Sequence, residues 1–194
     1  MQNQRNRWRP ESLRIATGWL VLFLCVGLQG ATVVRPSAGE PTPTEKFVMA
    51  EITAGRVADL DTAFPDEQRR IVRGAFLEEL LAGLRKDCLI HRNGVQIQGA
   101  IVRDGVDLRN VQVTNDVRLV GCRFDGEVNL SQCVFDSGFS LSGCTFVSTV
   151  NCSGLKVGRD IALKKAVFYG PANFEQLQVA GLLQAGGAAF LSES

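Results

Sequence analysis

The stretch VQIQGAIVRDG VDLRNVQVTND VRLVGCRFDGE, residues 95–127, is three copies of one pattern. Written φ-x-φ-x-x-φ-x-φ-x-x-x, with φ apolar, the pattern continues without a slip through units beginning at Val95, Val106, Val117, Val128, Phe139, Val150, Ile161, Ala172 and Leu183. All 36 specified positions (nine units of four) are apolar in a chain that is only 45% hydrophobic, so chance alignment does not explain them. An 11-residue period can mark a helical supercoil. Here, at about 100° per residue, the four apolar positions scatter around the helix and make no single stripe. Each unit instead holds two φ-x-φ triplets, the period-2 mark of a short strand with its outer residues facing one side. Turn-prone pairs such as Asp104-Gly105, Asp125-Gly126, Ser137-Gly138, Ser142-Gly143 and Ser153-Gly154 separate them. Short strands at a fixed period, none able to bury its apolar side alone, describe a stacked solenoid.

Within the units, Val106-Asp107-Leu108, Val128-Asn129-Leu130, Val150-Asn151-Cys152 and Ala172-Asn173-Phe174 recur 22 residues apart. This word, a small residue, then Asp or Asn, then a large apolar one, resembles that of the pentapeptide-repeat family over residues 95–193. The resemblance implies a mainly β fold, a right-handed four-sided parallel β-helix. The coil departs from the family's usual length and is expected at 22 residues, with alternating five- and six-residue faces. Asp107, Asn129, Asn151 and Asn173 then form a structural ladder at about 4.8 Å spacing, in which stacked amides satisfy one another. Leu108, Leu119, Leu130, Leu141, Phe124, Phe135, Phe146, Phe168 and Phe190 form the core stack. A left-handed acyltransferase-type helix is excluded, since no six-residue period is present. The array also lacks the irregular insertions that carry sites in pectate-lyase-like helices, and that regularity speaks against an enzyme.

Ahead of the array the chain changes character three times. Residues 1–31 read as a signal peptide or membrane anchor: Arg5, Arg7, Arg9 and Arg14 precede an apolar run over 15–31. With only Arg35 and Lys46 soon after it, the amino end is expected in the cytoplasm and the repeats outside it. The run is at the short end of what spans a bilayer, Gln29 makes a poor cleavage site, and Leu24 makes Cys25 a poor lipid-attachment site. Residues 32–60, with Pro36, Pro41 and Pro43, read as a linker. Residues 61–90 read as an amphipathic capping helix from about Pro65 to Lys86. Ile71, Val72, Ala75, Phe76, Leu80, Leu81 and Leu84 form its stripe, with Asp66 and Glu67 in the first turn and Arg85 and Lys86 in the last. Its place is over the first coil of the domain at 95–194, because the end of a β-stack exposes core and unpaired backbone.

At the far end the ninth unit closes at Glu193 with no cap in sequence, which predicts either an end-to-end homodimer or a longer array. Six cysteines in an exported chain invite disulfides. Cys122, Cys133 and Cys144, however, take the small inward position that Ala100, Ala166 and Ala188 take elsewhere, so buried thiols are favoured over a Cys122–Cys144 bridge. Cys88, outside the array, is expected to be the exposed thiol. His91 is the only histidine and reads as a connector. No CxxC, catalytic triad or phosphate loop can be assembled, so no catalytic residue, metal site or cofactor is predicted.

The expected function is a non-catalytic structural or interaction scaffold of the bacterial cell envelope, joined to the membrane through residues 15–31 and presenting flat β-faces to a protein partner. The alternatives are a cytosolic DNA mimic acting on a topoisomerase, a role known in some pentapeptide proteins, or a fragment of a longer membrane-associated enzyme. Residues 95–194 hold eight Lys/Arg and nine Asp/Glu, a net −1 that is too balanced to imitate a phosphate backbone, and no nucleic-acid partner is expected.

Overall fold

The computed structural model describes residues 39–192. Each apolar quartet makes two short strands, and the strands collect into four parallel sheets. Face A holds Val95–Gln98, Val117–Val120, Phe139–Ser140, Ile161–Ala162 and Leu183–Gln184; face B holds Ile101–Val102, Arg123–Phe124, Thr145–Phe146, Val167–Phe168 and Ala189–Phe190. Face C holds Val106–Asp107, Val128–Asn129, Val150–Asn151 and Ala172–Asn173; face D holds Gln112–Val113, Val134–Phe135, Lys156–Val157 and Gln178–Val179. Pairing joins each residue to the one 22 positions on, as Val95 to Val117, Ile101 to Arg123, Val106 to Val128 and Gln112 to Val134. One coil is therefore two units. Strand starts at 95, 101, 106, 112 and 117 advance by six, five, six and five residues.

The inward side is packed as alternation requires. Leu108, Leu119, Leu130, Leu141, Phe124, Phe135, Phe146 and Phe168 are all buried. Along face B the rings of Phe124, Phe146, Phe168 and Phe190 stack at 5.1, 4.8 and 4.7 Å, within 8° of parallel. Stacked aromatic pairs contribute about 0.5–1.5 kcal/mol beyond the area they bury. Phe190, expected in the core, is 55% exposed. Phe168 covers one of its faces, and no further described coil covers the other.

The amino-terminal cap differs from the expected linker and single helix. The linker reading fails at residues 43–59. Helix α1 (Pro43–Thr53) begins inside the proline-rich stretch, because Pro43 sits in its first turn, where a missing N–H costs nothing. Thr42 and Glu45 close a reciprocal capping box, and Val48 and Ile52 are fully buried. Strand β1 (Ala58–Asp59) and the one-turn helix α2 (Leu60–Ala63) follow. The helix expected over 65–86 is broken into a 3-10 turn (Glu67–Arg70) and helix α3 (Gly74–Leu81). Ile71 and Val72, assigned by spacing to a helical stripe, are extended instead: Ile71 bridges Ile101 in parallel, and the Val72 amide donates to the Ile101 carbonyl at 3.0 Å. Their β-branched side chains suit that role. Leu84, the last stripe residue, is 54% exposed beyond the helix.

These pieces close the first coil. β1 pairs with Ile97 and Gln98 on face A, Ile71 occupies the edge of face B, and the Glu78 carboxylate of α3 accepts the Asp107 amide on face C at 2.7 Å. Leu77 and Leu81 turn onto the core. Glycine at position 74 permits the approach: its amide donates to the Asp104 carboxylate at 2.8 Å, and a Cβ there would run into the Gly105 carbonyl. The buried carboxylate of Glu45 ties α1 to the start of α3, receiving Arg73 Nε at 2.9 Å, Nη2 at 2.6 Å and the Arg73 amide at 3.1 Å. The apolar segment at 15–31, Cys25 and Glu193 lie outside the described residues.

Candidate functional site

A β-helix of this kind offers corners, outer faces and ends. One corner recurs in every unit with the same backbone bend. A β-turn links the two triplets, closed by bonds such as Val111 N to Leu108 O (3.1 Å), Cys133 N to Leu130 O (3.1 Å) and Ala166 N to Leu163 O (3.0 Å). Its third residue has positive φ: Asn110, Gln132, Lys165 and Gln176 at 56–59°, and glycine at 99, 121, 143, 154 and 187. That is the type II signature. The second residue of the unit serves the same corner. Asn129 Oδ1 accepts from the Ser131 amide at 3.1 Å, Asn151 from Ser153 at 3.1 Å, Asn173 from Glu175 at 2.8 Å and Asp107 from Arg109 at 3.2 Å.

Asp107, Asn129, Asn151 and Asn173 therefore lie in register on face C, one rung apart. One side-chain oxygen of each is used along the chain, two residues on. Asx-turn chemistry of these residue types, which spacing alone does not reveal, accounts for those bonds.

Cys122, Cys133, Cys144 and Cys152 are free thiols in the core, none more than 1% exposed. Cys144 Sγ reaches the Leu119 carbonyl at 3.2 Å and Cys122 Sγ the Ile97 carbonyl at 3.8 Å, each on the preceding coil. Burial pushes the Cys133 and Cys152 thiols up to about 12. Burial first, and then the neighbouring Cys122 thiol, raise Cys144 well above the ordinary range. Cys88, expected to be exposed, is buried instead, with Thr53 Oγ1 and the Met49 carbonyl of α1 each 3.9 Å away. The helix that covers it is the one read as linker. His91 packs against Gly55, and its Nδ1 accepts the Asn93 amide at 3.2 Å while Asn93 Nδ2 donates to the Gly55 carbonyl at 2.7 Å. It joins the cap to the first coil.

Outside, Arg123 meets Asp125 at 2.6 Å on face B and Arg109 meets Asp107 at 2.7 Å on face C, while Arg103 donates to the Gln68 side chain at 3.0 Å. Face A carries a shallow groove of about 660 Å³ that runs across several coils and is lined by Arg118, Ser140, Arg159, Ala162 and Lys164 among others. At the carboxyl-terminal end Leu182, Leu183, Phe190 and Leu191 are 64, 55, 55 and 54% exposed. Among the described residues no group of His, Cys, Asp and Glu is disposed to hold a metal ion, and no helix is long and apolar enough to cross a membrane.

Four parallel sheets, one strand of each per coil, and a large inward residue flanked by Asp or Asn at the corner are the geometry of one repeat family. The family model described as pentapeptide repeats (9 copies) matches residues 97–145 and, in a second alignment, 108–155. The chain's array is made of pentapeptide repeats. No match is found among curated proteins or solved structures. As a pentapeptide-repeat protein it is a repeat scaffold, and its 22-residue coil is the feature that sets its corners and faces.

Proposed function

We propose that this pentapeptide-repeat protein is a non-catalytic scaffold of the bacterial cell envelope, carried to the membrane by residues 15–31 and presenting its flat outer faces to a protein partner. The observation that supports the reading most is the unbroken stack itself. From Val95 to Phe190 the four faces run without an insertion, so outward side chains repeat in fixed rows and no loop is set aside to build a reaction site.

The two ends support a second element of the same reading. The cap occupies the first edges of faces A, B and C, whereas the last described coil leaves Leu182, Leu183, Phe190 and Leu191 open to solvent. A cross-section of parallel strand edges around an apolar core is matched by another of the same size, and two copies abutting end to end satisfy it.

A reporter active only outside the cytoplasm, fused after Ser194, tests the location. Activity is the expected result; an intact but inactive cytoplasmic fusion overturns the envelope reading. Sedimentation of the chain and of a Phe190→Asp variant tests the end: a dimer reduced to monomer by the substitution is expected, and a wild-type monomer removes the end-to-end element.

A further inference from the structure

Face A gathers three cations along one groove. Arg118, Arg159 and Lys164 are exposed, and among the described residues none of them has an ion-pair partner. Elsewhere on the array the outward arginines Arg109 and Arg123 are each closed off by an acid two residues away. The two acids of the groove are engaged differently. Asp116 Oδ1 accepts the Gly138 amide and Asp160 Oδ1 the Leu182 amide, both at 2.8 Å and both on the next rung, so one oxygen of each serves the stack. Three cations against two carboxylates leave the groove with a formal charge of +1.

The cations are also arranged. Arg159 and Lys164 flank the strand Ile161–Ala162 on either side of one rung. Arg118 stands two rungs away in the strand Val117–Val120, paired through Ser140 to Ala162. Two rungs are about 9.6 Å. The floor between them is small and polar: Gly138, Ser140, Ser142 and Ala162 take positions where longer side chains would fill the depression. The Ser140 and Ser142 hydroxyls lie 3.1 Å apart and face outward as a donor and acceptor pair.

We infer that face A binds an extended acidic peptide lying along the stack, with its carboxylates read by Arg118 at one point and by Arg159 and Lys164 at the next. In a polyproline II peptide, side chains three residues apart point the same way at about 9.3 Å, which matches two rungs of the stack. The backbone of such a peptide keeps its N–H and C=O groups free, and the serine pair and Gln184 supply partners for them. Carboxylates gain from the forked guanidinium geometry of two arginines. A single-stranded nucleic acid fits less well, because the one aromatic lining residue, Phe139, is buried and offers no ring to a base. This assignment deepens the scaffold reading and rests on it for the choice of a face as the working surface.

The test is fluorescence anisotropy of a labelled peptide repeating glutamate-alanine-proline, titrated with the full chain at low salt. Saturable binding is expected, weakened about tenfold or more in an Arg118→Gln, Arg159→Gln, Lys164→Gln variant and unchanged in an Arg109→Gln, Arg123→Gln variant on the other faces. Circular dichroism of the triple variant should match the wild type, since the three side chains make no ion pair that the fold uses. If it does not, Lys164→Gln alone is titrated, with a loss of affinity still expected. Binding that survives the triple substitution overturns the assignment to face A and leaves the scaffold reading standing, and absence of saturable binding overturns the peptide ligand. Inorganic polyphosphate competing at lower concentration than unlabelled peptide also overturns it, in favour of a phosphate polymer.

Discussion

Glu78 Oε1 accepts the backbone amide of Asp107 at 2.7 Å, so a helix side chain takes the place that a strand carbonyl holds on every later rung of face C. On either side of Asp107 the Val106 and Leu108 amides point the other way and donate to the Glu127 and Asn129 carbonyls of the next coil, both at 2.8 Å. Replacing Glu78 by Leu leaves the Asp107 amide without that acceptor under the helix, and a buried unsatisfied donor costs about 1–3 kcal/mol. Glu78→Gln keeps a carbonyl oxygen in reach. Urea unfolding of the two variants is expected to separate them, with most of the loss restored in the Gln variant.

The positive-φ corner makes its own prediction. A Cβ at Gly121 meets nothing within 4 Å, so space does not decide what the site accepts; its φ of 59° does. Asn110 holds the same corner in the preceding unit. Gly121→Asn is therefore expected to change stability by less than about 0.5 kcal/mol, whereas β-branched Gly121→Val costs about 1–2 kcal/mol. Thermal melts of the two variants check it.

Phe146 sits in the middle of the face B ring stack, with Phe124 at 5.1 Å and Phe168 at 4.8 Å. Phe146→Ala opens a cavity between two coils and is expected to cost about 3–5 kcal/mol. Phe190→Ala, at a ring that is 55% exposed and stacked on one side only, should cost clearly less. Comparing the two in guanidinium unfolding distinguishes a continuous stack from isolated contacts.

Two titrations bear on acid and on oxidants. Burial works against the charge of Glu45, but Arg73, with the Thr42 and Arg73 amides, outweighs it and holds the carboxyl below the usual range. Because the folded value lies below the unfolded one of about 4.3, the stabilisation is complete above pH 4.3 and is lost as pH falls through the folded value. Glu45→Gln should cost about 3 kcal/mol near neutral pH and flatten the fall in stability below pH 4.3, read from melting temperature against pH. The raised Cys133, Cys144 and Cys152 thiols stay protonated at pH 8. They should resist a thiol reagent in the native chain and react on unfolding. Rapid native labelling at any of the three would contradict their burial.

The coil was legible because four apolar positions per unit carry period-2 alternation, and no residue of the array breaks it. The corner was less so. Gly143 and Gly154 hold the positive-φ site, but Asn110, Gln132, Lys165 and Gln176 hold it too, and no glycine pattern reveals those four. Gly105, Gly126 and Gly138 belong to a different bend, so the glycine-containing pairs in the sequence mixed two structural positions. The cap was hidden by its composition: Pro43 looks like a linker residue until Thr42 and Glu45 are seen to close a capping box around it. Ile71 and Val72 fit a helical stripe by spacing, and only their pairing with Ile101 shows that they extend a sheet. The face A groove carries no motif at all. It depends on which cations lack an acid nearby, and that depends on a register spanning 22 residues.

Since the strand partner of every array residue stands 22 positions away, while the sequence repeats every 11, the array has two phases. Gain or loss of a whole coil moves everything downstream along the axis and keeps each row of side chains on its own side. Gain or loss of one unit swaps face A for face C and face B for face D beyond that point, turning the far end half a circuit relative to the cap. A whole coil thus changes length alone, whereas a duplication event of the smaller size adds half a coil and also redirects whatever the distal coils present, without altering a single inward residue.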